Sequence, residues 1–294
     1  MEAPEDPAGR PAGSAAEPPL EPIRALLERA GLPVPRRYGA DDGVELLEDV
    51  GDRSLASLAA RLEPAERASL YAEACALVPR LQRIADPGSV AAFSRRLDAA
   101  QLRYKGELFA EHGLASRGRA ATPGERACVR DAFARIAAIA AAAPQRLAHR
   151  DFQSANLHVR DGAPGRRLVL IDLQGAWLAP PEYDLVCLLR DSYVELAAVE
   201  VEQRIEEVRP QLPDAPEAAV FAERFDLLTL ARKGKDHALF HFVARTRGDS
   251  RYLRFVPATV RYLRTASRRA AARDARLAPL AELIAELPET PCAR

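Results

Sequence analysis

The segment LAHRDFQSANLHVRDGAPGRRLVLIDLQGA, residues 147–176, constrains the chain more than any other. Leu157–Arg160 and Arg167–Ile171 read as two short strands, because large apolar residues recur there at strand spacing. DGAPG between them supplies the Gly and Pro that a turn requires. A polar loop carrying His149, Arg150, Asp151 and Asn156 precedes the first strand, and Asp172 ends the return strand. The hairpin therefore predicts that Asp172 returns beside the loop. Three oxygen-bearing side chains, of Asp151, Asn156 and Asp172, then converge where strands end.

Hard cations such as Mg²⁺ prefer oxygen ligands and complete their shell with phosphate oxygens. H-R-D-x-x-x-x-N followed by an Asp at the end of an apolar strand matches the template for phosphoryl transfer. On that reading Asp151 accepts the proton of an acceptor hydroxyl, while Asn156 and Asp172 hold Mg²⁺ against nucleotide phosphates. A bare HRD is a weak signal, and a single loop Asp is ordinarily a turn residue. The specificity lies in the whole spacing.

The rest of the chain is mainly helical in pattern. Residues 1–19 are Pro, Gly, Ala and Glu with almost nothing large and apolar, so they are expected to be disordered. A helix is predicted over about 20–30, stopped by Gly31, and a short apolar strand running into a turn over 43–52. Helical texture fills 55–143, and helices are predicted again over 182–208, 223–246 and 256–287. Four units follow: a disordered 1–19, a remnant small lobe and hinge at 20–52, a helical lobe with the catalytic loop and metal hairpin at 53–265, and a helical tail at 266–294.

HRDFQSANLHV, LIDLQGAWLAPPEYDLVCLLRDSYV and RYLRFVPATVRYLR resemble the aminoglycoside phosphotransferase-like kinases. Within that superfamily they are most similar to the anomeric kinases of N-acetylmuramate and N-acetylglucosamine. The resemblance is sharp over 147–195 and diffuse over the remainder of 20–265. It implies an α+β, protein-kinase-like bilobal fold, with an incomplete small β N-lobe and a mainly helical C-lobe. It implies ATP (or GTP) and Mg²⁺ as cofactors. The backbone of Glu48, Asp49 and Val50 would meet the adenine. His149, Arg150 and the buried Asp184 would steady the catalytic loop, and Gln153, Glu182, Arg190 and Asp191 would face the acceptor.

The sequence departs from that family at its beginning. No Gly-rich turn lies between strands, and lysine occurs only at 105, 233 and 235, so the usual phosphate-clamping lysine is missing before the hinge. Either the true start lies upstream, or the chain is naturally short and inactive or partner-dependent. The 294 residues alone are expected to bind ATP weakly, with Arg36 and Arg37 the first candidates for a substitute clamp.

Lys+Arg and Asp+Glu both number 42. That balance disfavours a dedicated nucleic-acid binder, and no apolar run is long enough for a membrane span. A cytoplasmic monomer acting on a small molecule is expected. The charges after residue 182 mix signs, including Arg232, Lys233, Lys235 and Asp236. A polycationic aminoglycoside calls for an acidic pocket, so this mixture suits a neutral or carboxylate-bearing sugar better. Alternatives are an aminoglycoside or amino-alcohol kinase and a pseudokinase-like regulator. Cys75, Cys128, Cys187 and Cys292 show no zinc spacing. His237 and His241, four apart, read as core histidines, Trp177 as packing, and the arginines from 261 to 276 as a solvated face.

Overall fold

The computed structural model describes residues 18–160 and 167–290. The N-terminal segment through Glu17, the DGAPG turn and Cys292 lie outside the described residues. The chain runs through α1 (Leu20–Arg29), β1 (Arg37–Asp41), β2 (Val44–Leu47), α2 (Leu55–Leu58), α3 (Pro64–Gln82), α4 (Ala99–Leu108) and α5 (Pro123–Ala142). Then come β3 (Arg146–Ala148), β4 (Leu157–Val159), β5 (Leu168–Leu170) and β6 (Trp177–Ala179). The chain continues with α6 (Tyr183–Leu189), α7 (Ala198–Val208), α8 (Ala218–Arg247), α9 (Val256–Arg273) and α10 (Ala278–Ala285).

Local chemistry sets many of these boundaries. α5 starts with a capping box: Glu125 N–H donates to Thr122 Oγ1 at 3.2 Å, and Thr122 N–H donates to Glu125 Oε2 at 2.7 Å. α1 stops where Gly31 takes a φ of +72°, a conformation that glycine adopts at little cost. The large lobe forms around α8, which packs on α4, α5, α6 and α9. A helix contacted on so many sides buries apolar residues around much of its circumference. Phe221, Phe225, Leu227, Leu228 and Leu230 are all buried, each contributing roughly 2 kcal/mol of transfer free energy.

The small lobe among the described residues is α1 and the β1–β2 hairpin. β1 was not expected from its sequence, RYGAD. Its cause is the Asp42-Gly43 pair, both at positive φ, the two-residue turn that matches strand twist. The strand predicted over 43–52 is confined to Val44–Leu47, and both strands are largely exposed.

Two other departures have physical reasons. The helix expected across 182–208 is two helices, because Asp191 turns its carboxylate back to accept from Ser154 N–H and Tyr193 N–H. The helix expected over 256–287 breaks at Asp274, whose side chain accepts from Arg276 N–H. The arginines of that stretch pair within the chain: Arg261 with Glu195, Arg264 with Glu289 and Arg273 with Asp226. No helix among the described residues is long and apolar enough to cross a membrane.

Candidate active site

Four short strands hold the site. β3 pairs antiparallel with β6, and β4 pairs antiparallel with β5. The loop from β3 to β4 carries 149–156, and the loop from β5 to β6 carries 171–176. Both strand pairings bring these two loops together; the β4–β5 hairpin is the one the sequence predicts, and the β3–β6 pairing adds to it. Ile171 N–H donates to the Asn156 carbonyl at 3.1 Å. His149 Nε2 lies 2.8 Å from the Ile171 carbonyl, so the buried imidazole braces one loop on the other. Glu73 of α3 accepts from Arg167 N–H and Leu168 N–H at 3.0 and 3.1 Å, fixing the start of β5. From the other side, Pro33 accepts from Leu170 N–H at 2.8 Å, and α1 lies against Leu173–Gly175.

Strain collects here. Arg150 has φ +80° and Asp172 φ +61°, conformations that cost a non-glycine residue about 1–3 kcal/mol and need support from their surroundings. Asp184 provides it for Arg150: its carboxylate accepts from His149 N–H at 2.7 Å and Arg150 N–H at 3.1 Å. Burial pushes the Asp184 pKa up to about 6, against the pull of the His149 ring and the two N–H groups. Gly175 passes beneath the loop, where a Cβ would lie 3.4 Å from Arg150 Nη1.

Asp172 returns beside the loop as expected, and Asn156 links it to the Asp151 backbone. Asn156 Nδ2 donates to the Asp151 carbonyl at 2.9 Å and reaches Asp172 Oδ2 at 3.5 Å. Gln174 Nε2 donates to Asp172 Oδ1 at 2.7 Å. With its amide nitrogen committed, Asn156 has its amide oxygen to offer beside the exposed Asp172 carboxylate. No cluster of three or more His, Cys, Asp or Glu suited to a metal occurs among the described residues. The donor set therefore fits a cation that is shared with phosphate oxygens rather than enclosed by protein.

Asp151 faces a cavity of about 480 Å³ under α8. Arg232 Nη1 donates to Asp151 Oδ1 at 2.7 Å, and Nη2 to Gln153 Oε1 at 3.2 Å. Burial pushes the Asp151 carboxyl up, but Arg232, Lys235 and Arg150 outweigh it and hold the group well below the usual carboxylate range. Arg232 is itself buried, with Asp236 3.4 Å from its Nε. Arg232, Lys235 and Asp236 were noted in the sequence only as part of a mixed-charge stretch. A sharper signal is present: four charges within 232–236, set between the stretches LLTLA and ALF of one helix. Charges rarely enter such a face unless paired or used.

The expected acceptor residues divide. Gln153 and Asp191 line the cavity. Glu182 and Arg190 do not, which corrects their assignment. Glu182 is fully buried against Arg224 at 2.8 Å, and burial pushes its pKa up to about 7 despite that partner. The Arg190 guanidinium lies 5.4 Å from the ring centres of both Phe225 and Tyr262, so packing explains it. Trp177 is buried edge-on to Tyr183 with the Arg150 guanidinium over its ring at 5.0 Å, a packing role. His237 is fully buried, 3.2 Å from Ser116 Oγ through Nε2.

Residues 51–53 run beside β4. Val159 N–H donates to the Arg53 carbonyl at 2.8 Å, and His158 Nδ1 lies 2.7 Å from the Gly51 carbonyl. Glu48 N–H is committed to the Arg36 carbonyl at 2.8 Å and its carboxylate to Arg160 at 2.8 Å. Of the hinge groups assigned to adenine, the Glu48 amide is therefore already used within the protein.

Residues 16–221 match the phosphotransferase enzyme family (APH), and the chain belongs to that family. It is 30% identical over 287 residues to the N-acetylmuramate/N-acetylglucosamine kinase of Pseudomonas aeruginosa, covering 92% of this chain and 78% of that one. The protein of the same name from Neisseria meningitidis serogroup B is 29% identical over 276 residues, with coverages of 92% and 79%. Solved structures share the kinase-like fold. The gentamicin complex of APH(2")-IIa superposes with a TM-score of 0.56 at 15% identity, covering 87% of this chain and 80% of that one. Choline kinase LicA from Streptococcus pneumoniae gives 0.53 at 17% identity, with coverages of 84% and 78%.

Proposed function

We propose that the chain is an ATP-dependent kinase for the anomeric hydroxyl of an N-acetylated amino sugar, N-acetylmuramate or N-acetylglucosamine. The observation that carries this reading is Asn156 set between the Asp151 backbone and the Asp172 carboxylate, with the Asp151 side chain lining a cavity, in a chain 30% identical to a kinase of those sugars over 92% of its length. The same reading makes it a cytoplasmic monomer.

Asp151 accepts a hydrogen bond from the attacking hydroxyl and orients its oxygen towards the γ-phosphorus. The carboxylate stays ionised because Arg232 holds it, so it takes the proton late, as the bond to phosphorus forms. That suits a loose transition state, in which positioning matters more than a strong base. Asp172 and the Asn156 amide oxygen would hold Mg²⁺, which supplies charge neutralisation along the phosphates. Asp184, His149 and Gly175 keep the two loops in register, within the tolerance that in-line transfer demands. The Asp49–Val50 backbone, just before the 51–54 segment that runs beside β4, would offer the adenine edge its contacts.

Incubation of the protein with Mg·ATP and each sugar, followed by ³¹P NMR, tests the assignment. A sugar 1-phosphate signal accompanied by stoichiometric ADP is expected from N-acetylmuramate or N-acetylglucosamine and not from kanamycin. Phosphorylation of kanamycin alone, or nucleotide binding without transfer to either sugar, would overturn it.

A further inference from the structure

The cavity beside Asp151 contains four carboxylates, each already satisfied. Asp151 is paired with Arg232 at 2.7 Å, Asp236 with Lys233 at 2.7 Å and Asp249 with Arg251 at 2.8 Å. Asp191 accepts from Ser154 N–H at 2.8 Å, Tyr193 N–H at 2.9 Å and Ser154 Oγ. The cations are not matched in the same way. Among the described residues the ammonium of Lys235 makes no hydrogen bond or ion pair, although Lys235 lines the cavity and is half-buried. Arg247, exposed at the outer end of the same helix face, is also without a carboxylate partner. The space next to Asp151 therefore presents an ammonium with no hydrogen-bonded partner of its own.

We propose that Lys235 reads an anionic substituent on the acceptor, so that the cavity selects a carboxylate-bearing amino sugar over its neutral counterpart. This rests on the kinase reading given above. Lys235 follows Arg232 on α8 by three residues, a rise of about 4.5 Å, and Arg232 fixes Asp151. An acceptor whose reacting hydroxyl meets Asp151 thus has its ring substituents within reach of Lys235. Tyr193, Phe240 and Tyr252 line the same cavity and offer aromatic surface to the ring's C–H face; Phe240 and Tyr252 stack with centres 6.0 Å apart.

The electrostatics point the same way. Burial, then the neighbouring Arg232, lowers the proton affinity of Lys235. A desolvated ammonium without a partner is unfavourable, and an incoming carboxylate relieves that penalty through a charge-assisted hydrogen bond. A polycation would find the acids already engaged by donors within the protein and meet Lys235 as a like charge. N-acetylmuramate is N-acetylglucosamine bearing a lactyl ether, so the two sugars differ by the anion in question.

The test is steady-state kinetics and equilibrium binding with three acceptors: N-acetylmuramate, its uncharged lactyl amide and N-acetylglucosamine. The wild type should favour N-acetylmuramate over both neutral sugars. Lys235→Gln should raise KM and Kd for N-acetylmuramate about tenfold, the scale of one hydrogen bond to a charged group. It should leave the Kd of the two neutral sugars within about twofold, while any change in kcat that acts through Asp151 is shared by all three acceptors; Lys235→Arg should recover most of the difference in Kd. Equal loss of Kd on all three acceptors, or a change in KM for ATP, would assign Lys235 to the transferred phosphoryl group and overturn the inference. A wild type that phosphorylates N-acetylglucosamine with no preference for the anion overturns it while leaving the kinase assignment intact. A wild type that neither binds nor phosphorylates any of them overturns both.

Discussion

Two hairpins in this molecule share a plan and differ in everything that plan does not fix. β1–β2 and β4–β5 are both short antiparallel pairs. In the first, Tyr38, Val44 and Leu46 are all more than 60% exposed, and the pair stands over the protein with little cover among the described residues. In the second, every residue of β5 is buried, and so are Leu157 and Val159 of β4. The difference is what lies behind the strands. Glu73 and Pro33 grip β5 from two sides, and the strap at 51–54 covers β4. A two-stranded ribbon has little stability of its own, so its precision is borrowed from its supports. The site is built on the hairpin that has them.

That contrast can be broken most severely at Asp172, which the buried hairpin delivers. Asp172→Ala should reduce Mg·ATP affinity by at least about a hundredfold, and Asn156→Ala by less, since a carboxylate gives the cation a full charge and an amide only a dipole. Isothermal titration with and without Mg²⁺ measures both. Equal affinity for wild type and Asp172→Ala would remove the metal assignment.

Arg232 sharpens the comparison from the other side of the cavity. In the wild type Asp151 ionises below its ordinary value of 3.8, so it contributes no acid limb to the rate between pH 5 and 8. The stability from its ion pair is present above pH 3.8 and is lost as pH falls through the lower, folded-state value. Arg232→Gln leaves burial less opposed, which raises the Asp151 pKa. The variant should lose about tenfold in kcat at neutral pH and show an acid limb that the wild type lacks. An unchanged pH profile would mean that Arg232 does not set the charge of Asp151.

The smallest effects compare the hairpins directly. Leu170→Ala in β5 should cost about 2–5 kcal/mol, as core truncations do. Val44→Thr in β2 should stay within about 0.5 kcal/mol. Denaturant melts of both variants give the numbers, and a comparable loss at Val44 would show that β1–β2 is covered in solution.

The sequence made the chemistry legible and left its supports dark. The spacing from Asp151 through Asn156 to Asp172 is local, and the hairpin that closes it is written in alternation and turn residues. β3 and β6 were harder to read, because three-residue strands carry no periodicity of their own; they exist because Trp177–Ala179 finds Arg146–Ala148 across the fold. Arg232 was missed as a site residue for a related reason. Its role depends on α8 crossing beneath Asp151, a contact between residues 81 apart in the chain. Glu182 and Arg190 failed oppositely: charges near the motif in sequence turned inward to partners that only the tertiary structure supplies. The Asp42-Gly43 pair, by contrast, is a local turn signal of the kind a sequence displays openly.

The claim that the two loops form a working phosphoryl-transfer site is tested most directly by Asp151→Asn. Turnover should be measured by ADP release with N-acetylmuramate, and Mg·ATP affinity by calorimetry on the same preparation. Asp151 meets the acceptor and not the cation, so turnover should fall by about 10²–10⁴ while Mg·ATP affinity stays within about threefold. Near-normal turnover in the variant, or loss of nucleotide binding together with turnover, would contradict that assignment.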